Sequence, residues 1–111
     1  MIHTLEVHSR RPQELIDLTA TIQDLVRQHG PWDGVCYLYV PHTTAGITIN
    51  EHADPSVAED LLLALAQLVP TTLPYRHAEG NSPAHVKASL TGNTATILIE
   101  SGRLVLGTWQ G

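Results

Sequence analysis

The 111-residue chain has one cysteine, no phenylalanine and only six lysine or arginine residues. A single cysteine cannot form a disulfide within the chain, so Cys36, which lies in an apolar run, is expected to be a buried and unreactive thiol. The first residues have neither the cationic nor the apolar region of a secretory signal. A reducing, cytoplasmic location is therefore expected.

Long hydrophobic runs and basic patches are also missing. The longest apolar run, residues 61–65, is far too short to span a bilayer. The net charge is −5 and the cations are scattered, which argues against nucleic acid or an anionic membrane as the main partner. A chain of this length forms one domain with one core. A small-molecule or phosphorylated substrate is the expected partner.

Histidine is what the chain has in excess, with seven residues, and polar groups concentrate in two segments. Residues 77–85 contain two imidazoles, the Glu79 carboxylate and the Asn81 carboxamide, with almost nothing apolar to bury. Ordering such a loop costs conformational entropy with little hydrophobic gain to offset it. A metal or anion site is the natural explanation. Residues 42–54 have the same character.

The first half of the chain predicts two kinds of element. Residues 2–8 indicate an opening strand, and apolar spacing after Pro12 predicts a helix over residues 12–29, ended by Gly30 and Pro31. Residues 34–40 are apolar on both faces and predict a central strand. Residues 45–50 alternate and predict another strand.

Helix start signals dominate the second half. Asp54 as N-cap with Pro55 at the first helical position begins a helix that ends before Pro70. Ser82 as N-cap begins a shorter helix over residues 83–90, closed by Gly92. Residues 94–100 and 103–107 predict a hairpin. This order indicates an α+β fold, a compact single domain with a mainly antiparallel sheet, sandwich or barrel-like, and two to three helices.

The candidate metal ligands are imidazoles from separate segments, because no short zinc motif is present. His42 follows the central strand, with a turn histidine bonded to backbone as an equal alternative. His85 lies in the first turn of the short helix, where the helix dipole disfavours its protonation. His42, His77 and His85, completed by water or a carboxylate, suit zinc or a similar ion better than magnesium.

Such a set suits metal-assisted hydrolysis, with Glu51 or Glu79 as the base. Two other candidates have simpler explanations. Asp54 is accounted for as a helix cap, a role compatible with catalysis. Lys87 is accounted for as a solvated lysine.

Five segments together resemble a known family. They are Pro-His-Thr-Thr-Ala at 41–45, Asn-Glu at 50–51 with Asp-Pro at 54–55, His-Ala-Glu-Gly-Asn at 77–81, Ala-His-Val-Lys-Ala-Ser-Leu at 84–90, and Gly-Thr-Trp-Gln-Gly at 107–111. In this order and spacing the chain closely resembles the YjbQ-like family, also described as secondary thiamine-phosphate synthase. The resemblance covers nearly the whole chain.

The resemblance implies an α+β fold, a homotrimer with sites near subunit contacts, and convergence of the polar segments. It makes His42, His77 and His85 the metal-binding or catalytic imidazoles. The expected catalytic groups are Glu51, Asp54, Glu79 and Lys87. The expected substrate-binding groups are Thr43, Thr44, Asn50, Asn81, Ser89, Thr108 and Gln110. Family members continue beyond Gly-Thr-Trp-Gln-Gly with another strand and a tail, which residues 1–111 are expected to lack.

Three functions follow. The first is an enzyme with a His-rich, metal-dependent site. Thiamine-phosphate synthesis is then expected only as a weak side activity, because few cations and no aspartate-rich diphosphate site are present. The alternative is a non-catalytic trimer that binds a metal or an anion. The third is a purely structural polar loop, which would be favoured if His77 and His85 lay on opposite surfaces.

Overall fold

A computed structural model describes all 111 residues. The elements in chain order are α1 (Thr19–His29), β1 (Gly34–Tyr39), α2 (Pro55–Leu68), α3 (Ser82–Thr91), β2 (Thr94–Glu100) and β3 (Arg103–Leu104). Three helices and one antiparallel sheet confirm the α+β prediction. The sheet is a single layer within the chain.

The sheet has the order β1-β2-β3. The β2–β3 turn places Ser101 at φ 52° and Gly102 at φ 74°, the two left-handed residues of a tight hairpin turn. The hairpin prediction is thus confirmed, although β3 as a regular strand ends at Leu104. The prediction that residues 34–40 form a central strand is wrong within one chain. β1 lies at the edge and β2 at the centre.

The small core lies between α1 and one face of the sheet. Ile22 and Val26 of α1 pack with Ile99 of β2. Gln23 fixes the helix across the hairpin, since its Nε2 donates to Gly102 O at 3.0 Å and its Oε1 accepts from Leu104 N at 3.0 Å. Cys36 packs on this core, half-buried, and burial raises the pKa of its thiol. The expected unreactive thiol fits this position.

The first helix begins seven residues later than predicted. Asp17 Oδ1 accepts from the backbone N–H of Thr19 at 2.9 Å and from its hydroxyl at 2.6 Å, which favours a helix start at Thr19. Upstream, Gln13 Nε2 donates to Leu62 O of α2 at 3.0 Å, and Gln13 Oε1 accepts from Lys87 Nζ of α3. These tertiary bonds hold residues 12–18 outside the helix despite their apolar spacing.

Two predicted strands are not regular strands. Residues 2–8 have no ladder partner. Residues 45–50 form only isolated backbone hydrogen bonds to other segments. Ile47 N donates to Gly92 O at 3.0 Å, and Asn50 and Gly111 exchange two bonds of 2.9 and 3.1 Å. Glu51 and Gln110 then form an isolated antiparallel bridge.

The two later helices begin close to where their start signals predict. Asp54 caps α2 by accepting from Ser56 N at 2.9 Å, with Pro55 at the first helical position. The N-cap of α3 is Asn81 and not Ser82, so that part of the prediction is wrong. Asn81 O accepts from His85 N at 3.3 Å, and this bond draws Ser82 into the first turn.

Little of the chain is buried against itself. Only five residues are buried, and the accessible surface is 8446 Å². A compact monomer of this mass exposes about 6000 Å² by the usual scaling. The other face of the sheet, which we call the outer sheet face, is bare and carries Val35, Tyr37, Tyr39, Thr94, Thr96 and Leu98. None of the three helices is both long and apolar enough to cross a membrane.

Candidate functional site

Two of the three candidate imidazoles are in contact. The rings of His77 and His85 meet edge to face, with centroids 5.2 Å apart and planes at 88°. His77 comes from the loop before α3, and His85 from its first turns. We call residues 77–85 the histidine loop. Its two histidines share one surface, so the arrangement that would have favoured a purely structural polar loop is not found.

Asn81 lies between these histidines in sequence and has an unpaired oxygen. Its side-chain Oδ1 is buried and has no hydrogen-bond partner. Buried polar atoms in folded proteins are almost always paired, by protein, water or ligand. The amide also makes no capping bond to α3. The Asn81 oxygen therefore has a free lone pair that can accept a hydrogen bond from a group outside the chain.

His42 is held elsewhere. Its Nδ1 accepts from the backbone N–H of Thr44 at 3.1 Å, with the Thr44 hydroxyl also 3.1 Å away. No hydrogen bond or ring contact joins His42 to His77 or His85. The turn histidine bonded to local backbone is thus the arrangement found within one chain. Because Nδ1 accepts this bond, the proton of the neutral His42 ring lies on Nε2.

Other predicted residues gather at the bridge between residues 50–52 and 109–111. Asn50 Oδ1 accepts from Glu51 N at 2.7 Å, and Gln110 Oε1 accepts from Gly107 N at 2.8 Å. These bonds shape the bridge and the turn that contains Thr108. The Glu51 carboxylate makes no hydrogen bond or ion pair.

Some of the remaining predicted residues form hydrogen bonds within the chain, and others are exposed without a partner. Asp54 caps α2, and the Ser56 backbone and hydroxyl bonds lower the pKa of its carboxyl. The Lys87 ammonium binds Gln13, and the Ser89 hydroxyl donates to His85 O at 2.9 Å. Thr43 and Glu79 are exposed, and the Glu79 carboxylate is unpaired. Lys87 is therefore not the simple solvated lysine that the sequence suggested.

No group of three or more histidine, cysteine, aspartate or glutamate residues lies close enough within one chain to hold a metal ion. His77 and His85 supply two ligands at most. A complete coordination shell would need further groups from outside the chain, and a tetrahedral zinc site with an open position has three protein ligands.

The sequence interpretation missed one polar contact. His52 Nδ1 lies 2.7 Å from Asp17 Oδ2. The Thr19 bonds, chiefly that of the hydroxyl, and His52 lower the pKa of Asp17 to about 2. The spacing of Asp17 and Thr19 could have indicated a local turn, but nothing in the sequence links residue 17 to residue 52.

Comparison with known proteins identifies the family. The model of the "UPF0047 protein YjbQ-like" family matches residues 3–111. The chain belongs to the YjbQ-like family. UPF0047 protein MJ1081 of Methanocaldococcus jannaschii is 46% identical over 111 residues, which are 100% of this chain and 80% of that protein. UPF0047 protein YugU of Bacillus subtilis is 43% identical over 112 residues, covering 100% and 85%.

Solved structures of YjbQ-like proteins agree with the fold. A Clostridium acetobutylicum member, described as uncharacterized, has a TM-score of 0.91 and 48% identity over 95% of this chain and 81% of its own. A Sulfolobus solfataricus protein, described as of unknown function, has a TM-score of 0.88 and 32% identity, covering 94% and 76%. The chain therefore shares both the family and the fold of these relatives, whose names assign no activity.

Proposed function

We propose that this YjbQ-like protein is a small-molecule enzyme whose site is built around His77, His85 and Asn81 and completed by another copy of the chain. The observation that carries the proposal is the buried, unpaired Asn81 Oδ1 in the same loop as two touching imidazoles. An imidazole pair and an unsatisfied oxygen in one loop suit a zinc-like divalent ion or its bound water. Such an ion would activate water at neutral pH.

A second copy of the chain would supply the metal ligands that one copy lacks, and the large exposed surface supports such self-association. One chain exposes about 2400 Å² more than the roughly 6000 Å² expected of a compact monomer. Stable interfaces bury about 1200–2000 Å² in total, so the excess is large enough. The outer sheet face carries Tyr37 at 77% and Leu98 at 59% exposure. A homotrimer that covers this face would bring His42 or a carboxylate of one copy to the histidine loop of the next.

The proposed reaction is metal-assisted hydrolysis of a small, phosphorylated molecule. The carboxylates of Glu51 and Glu79 are unpaired and so free to accept a proton from the attacking water. His77 and His85 hold the ion, and Asn81 orients the ligand. Thiamine-phosphate synthesis remains a weak side activity in this proposal. The lone, half-buried Cys36 supports a cytoplasmic location.

Elemental analysis of protein purified without added metal tests the site. We expect about one zinc-like ion per chain, lost in His85→Gln but kept in Glu51→Gln. The rate of p-nitrophenyl phosphate hydrolysis should fall in both variants. Glu59 is an exposed carboxylate of α2, and the control variant Glu59→Gln should keep the wild-type rate. Absence of metal from the wild-type protein would contradict the proposal.

The second candidate is a non-catalytic trimer that binds a metal or an anion, favoured because the Glu51 and Glu79 carboxylates make no contact with His77 or His85 within one chain. Glu51→Gln separates the two functions. Retained metal with lost turnover supports the enzyme, while unchanged behaviour in every assay supports the binding protein. For the trimer, light scattering should give three times 12.1 kDa. Leu98→Lys should yield monomer, and Gln28→Lys on exposed α1 surface should not.

A further inference from the structure

A second polar pair lies outside the histidine loop, at the start of α1. Asp17 Oδ2 and His52 Nδ1 are 2.7 Å apart, although the residues are 35 positions apart in sequence. Beside them is an open cavity of about 410 Å³ lined by Asp17, Thr19, Ala20, Gln23, His52, Leu104 and Leu106. No residue of the histidine loop lines it.

The carboxylate fixes the tautomer of the imidazole. Asp17 Oδ1 is occupied by two bonds from Thr19, and Oδ2 faces His52. An ionised carboxylate can only accept hydrogen bonds, so Nδ1 of His52 carries the proton. In the neutral ring, Nε2 then presents its lone pair. Nε2 makes no hydrogen bond within the chain.

Backbone contacts with residues 109–111 also hold the His52 imidazole in place. The backbone of His52 donates to Trp109 O at 2.9 Å, which anchors it to the 50–52 and 109–111 bridge. Gly111 packs so closely on the ring that a Cβ at residue 111 would displace the imidazole. A ring fixed by a carboxylate on one edge and by backbone contact is oriented before any ligand binds.

The cavity beside the pair is apolar with one polar end. Ala20, Leu104 and Leu106 supply apolar surface, while both polar atoms of the Gln23 amide are bonded to the hairpin backbone. Ala20 lies in the first turn of α1, and its N–H group makes no hydrogen bond within the chain. Unpaired helix N-terminal donors stabilise developing negative charge on oxygen.

We propose that Asp17 and His52 form a general-base dyad that hydrolyses small, uncharged esters in this cavity. Nε2 of His52 takes a proton from a water molecule whose oxygen adds to the ester carbonyl carbon. The N–H group of Ala20, which lines the cavity, stabilises the oxyanion. The carbon–oxygen ester bond then breaks, and the leaving alkoxide takes the proton from Nε2. One ester and one water yield one acid and one alcohol, with Asp17 orienting the ring throughout.

Hydrolysis of p-nitrophenyl acetate by the full chain tests this dyad. We expect His52→Gln to lower the rate by about tenfold or more. Asp17→Asn keeps the acceptor for Thr19 but places an amide NH₂ against Nδ1, which moves the ring proton to Nε2. That variant should lose the rate to a similar degree while circular dichroism shows an intact fold.

His8→Gln is the matched control, because His8 and Glu6 form an exposed pair, 3.8 Å apart, that does not line the cavity. It should keep the wild-type rate. Equal rates for His52→Gln and wild type would overturn the proposal, as would loss of the rate on adding EDTA. The ¹⁵N shifts of the His52 ring give a readout besides activity. They should show the proton on Nδ1 in the wild type and on Nε2 in Asp17→Asn, and the reverse would contradict the dyad.

Discussion

Gly111 packs face-on against the imidazole of His52, and a Cβ at residue 111 would overlap the ring carbons and Nδ1. The same two segments are joined by the paired backbone groups of Asn50 and Gly111. The ring therefore cannot move away from residue 111 without disturbing either this pairing or its contact with Asp17.

Gly111→Ala should destabilise the fold by about 1 kcal/mol, because the ring must shift and lose its bond to Asp17. Urea unfolding measures the change. His52→Ala removes the overlapping ring, so Gly111→Ala should cost almost nothing in that background. Equal costs in the two backgrounds would mean that the imidazole does not restrict residue 111.

Two substitutions of Asp54 separate its capping role from a catalytic role. Asp54→Ala removes the acceptor for Ser56 N and should lower the melting temperature, while Asp54→Asn, which keeps an acceptor, should leave it close to the wild-type value. Thermal melting of both variants checks this. If Asp54→Asn is stable yet inactive in the phosphatase assay, the carboxylate has a chemical role beyond its cap.

Asp17 should make the stability depend on pH at the acidic end. Its pKa falls from 3.8 to about 2 on folding, so its contribution is complete above pH 3.8 and disappears as the pH drops toward 2. The side chain is 53% exposed, so solvent screening leaves about 1 kcal/mol. Urea unfolding should therefore separate wild type from Asp17→Asn at pH 6, and the difference should vanish near pH 2. A constant difference would contradict this pKa.

Gln13 connects three parts of the chain and should matter more than a surface residue. Gln13→Ala leaves the Leu62 carbonyl and the Lys87 ammonium without their partner, at a cost of about 1–2 kcal/mol. Gln28, on the exposed side of α1, is the matched control, and Gln28→Ala should change stability by less than about 0.5 kcal/mol. Chemical denaturation of the two variants decides the matter, and similar values would show that the Gln13 bonds contribute little.

Local signals in the sequence predicted the elements that depend on local chemistry. The Asp54-Pro55 start of α2 and the Ser101-Gly102 turn follow from a capping side chain and from left-handed turn residues. The start of α1 depends instead on Gln13 reaching two other helices, which periodicity cannot reveal. The edge position of β1 was missed because an apolar face that is bare in one chain has the same sequence pattern as a face buried within it.

In the candidate site, too, contacts between residues close in sequence were predictable and contacts between distant segments were not. His77 and His85 are close in sequence, and their contact follows from the short loop between them. The separation of His42 and the pairing of Asp17 with His52 depend on how distant segments pack. The family resemblance indicated which segments carry candidate site residues. It did not reveal which side chains of different segments are in contact, because those contacts depend on tertiary packing.

The bare outer sheet face has a consequence for how the protein's stability must be measured. If copies cover that face, part of the folding free energy comes from association, and mass action enters the unfolding equilibrium. The melting temperature should then rise with protein concentration, and dilution alone would favour the unfolded chain. A single midpoint, quoted without a concentration, would not describe this molecule.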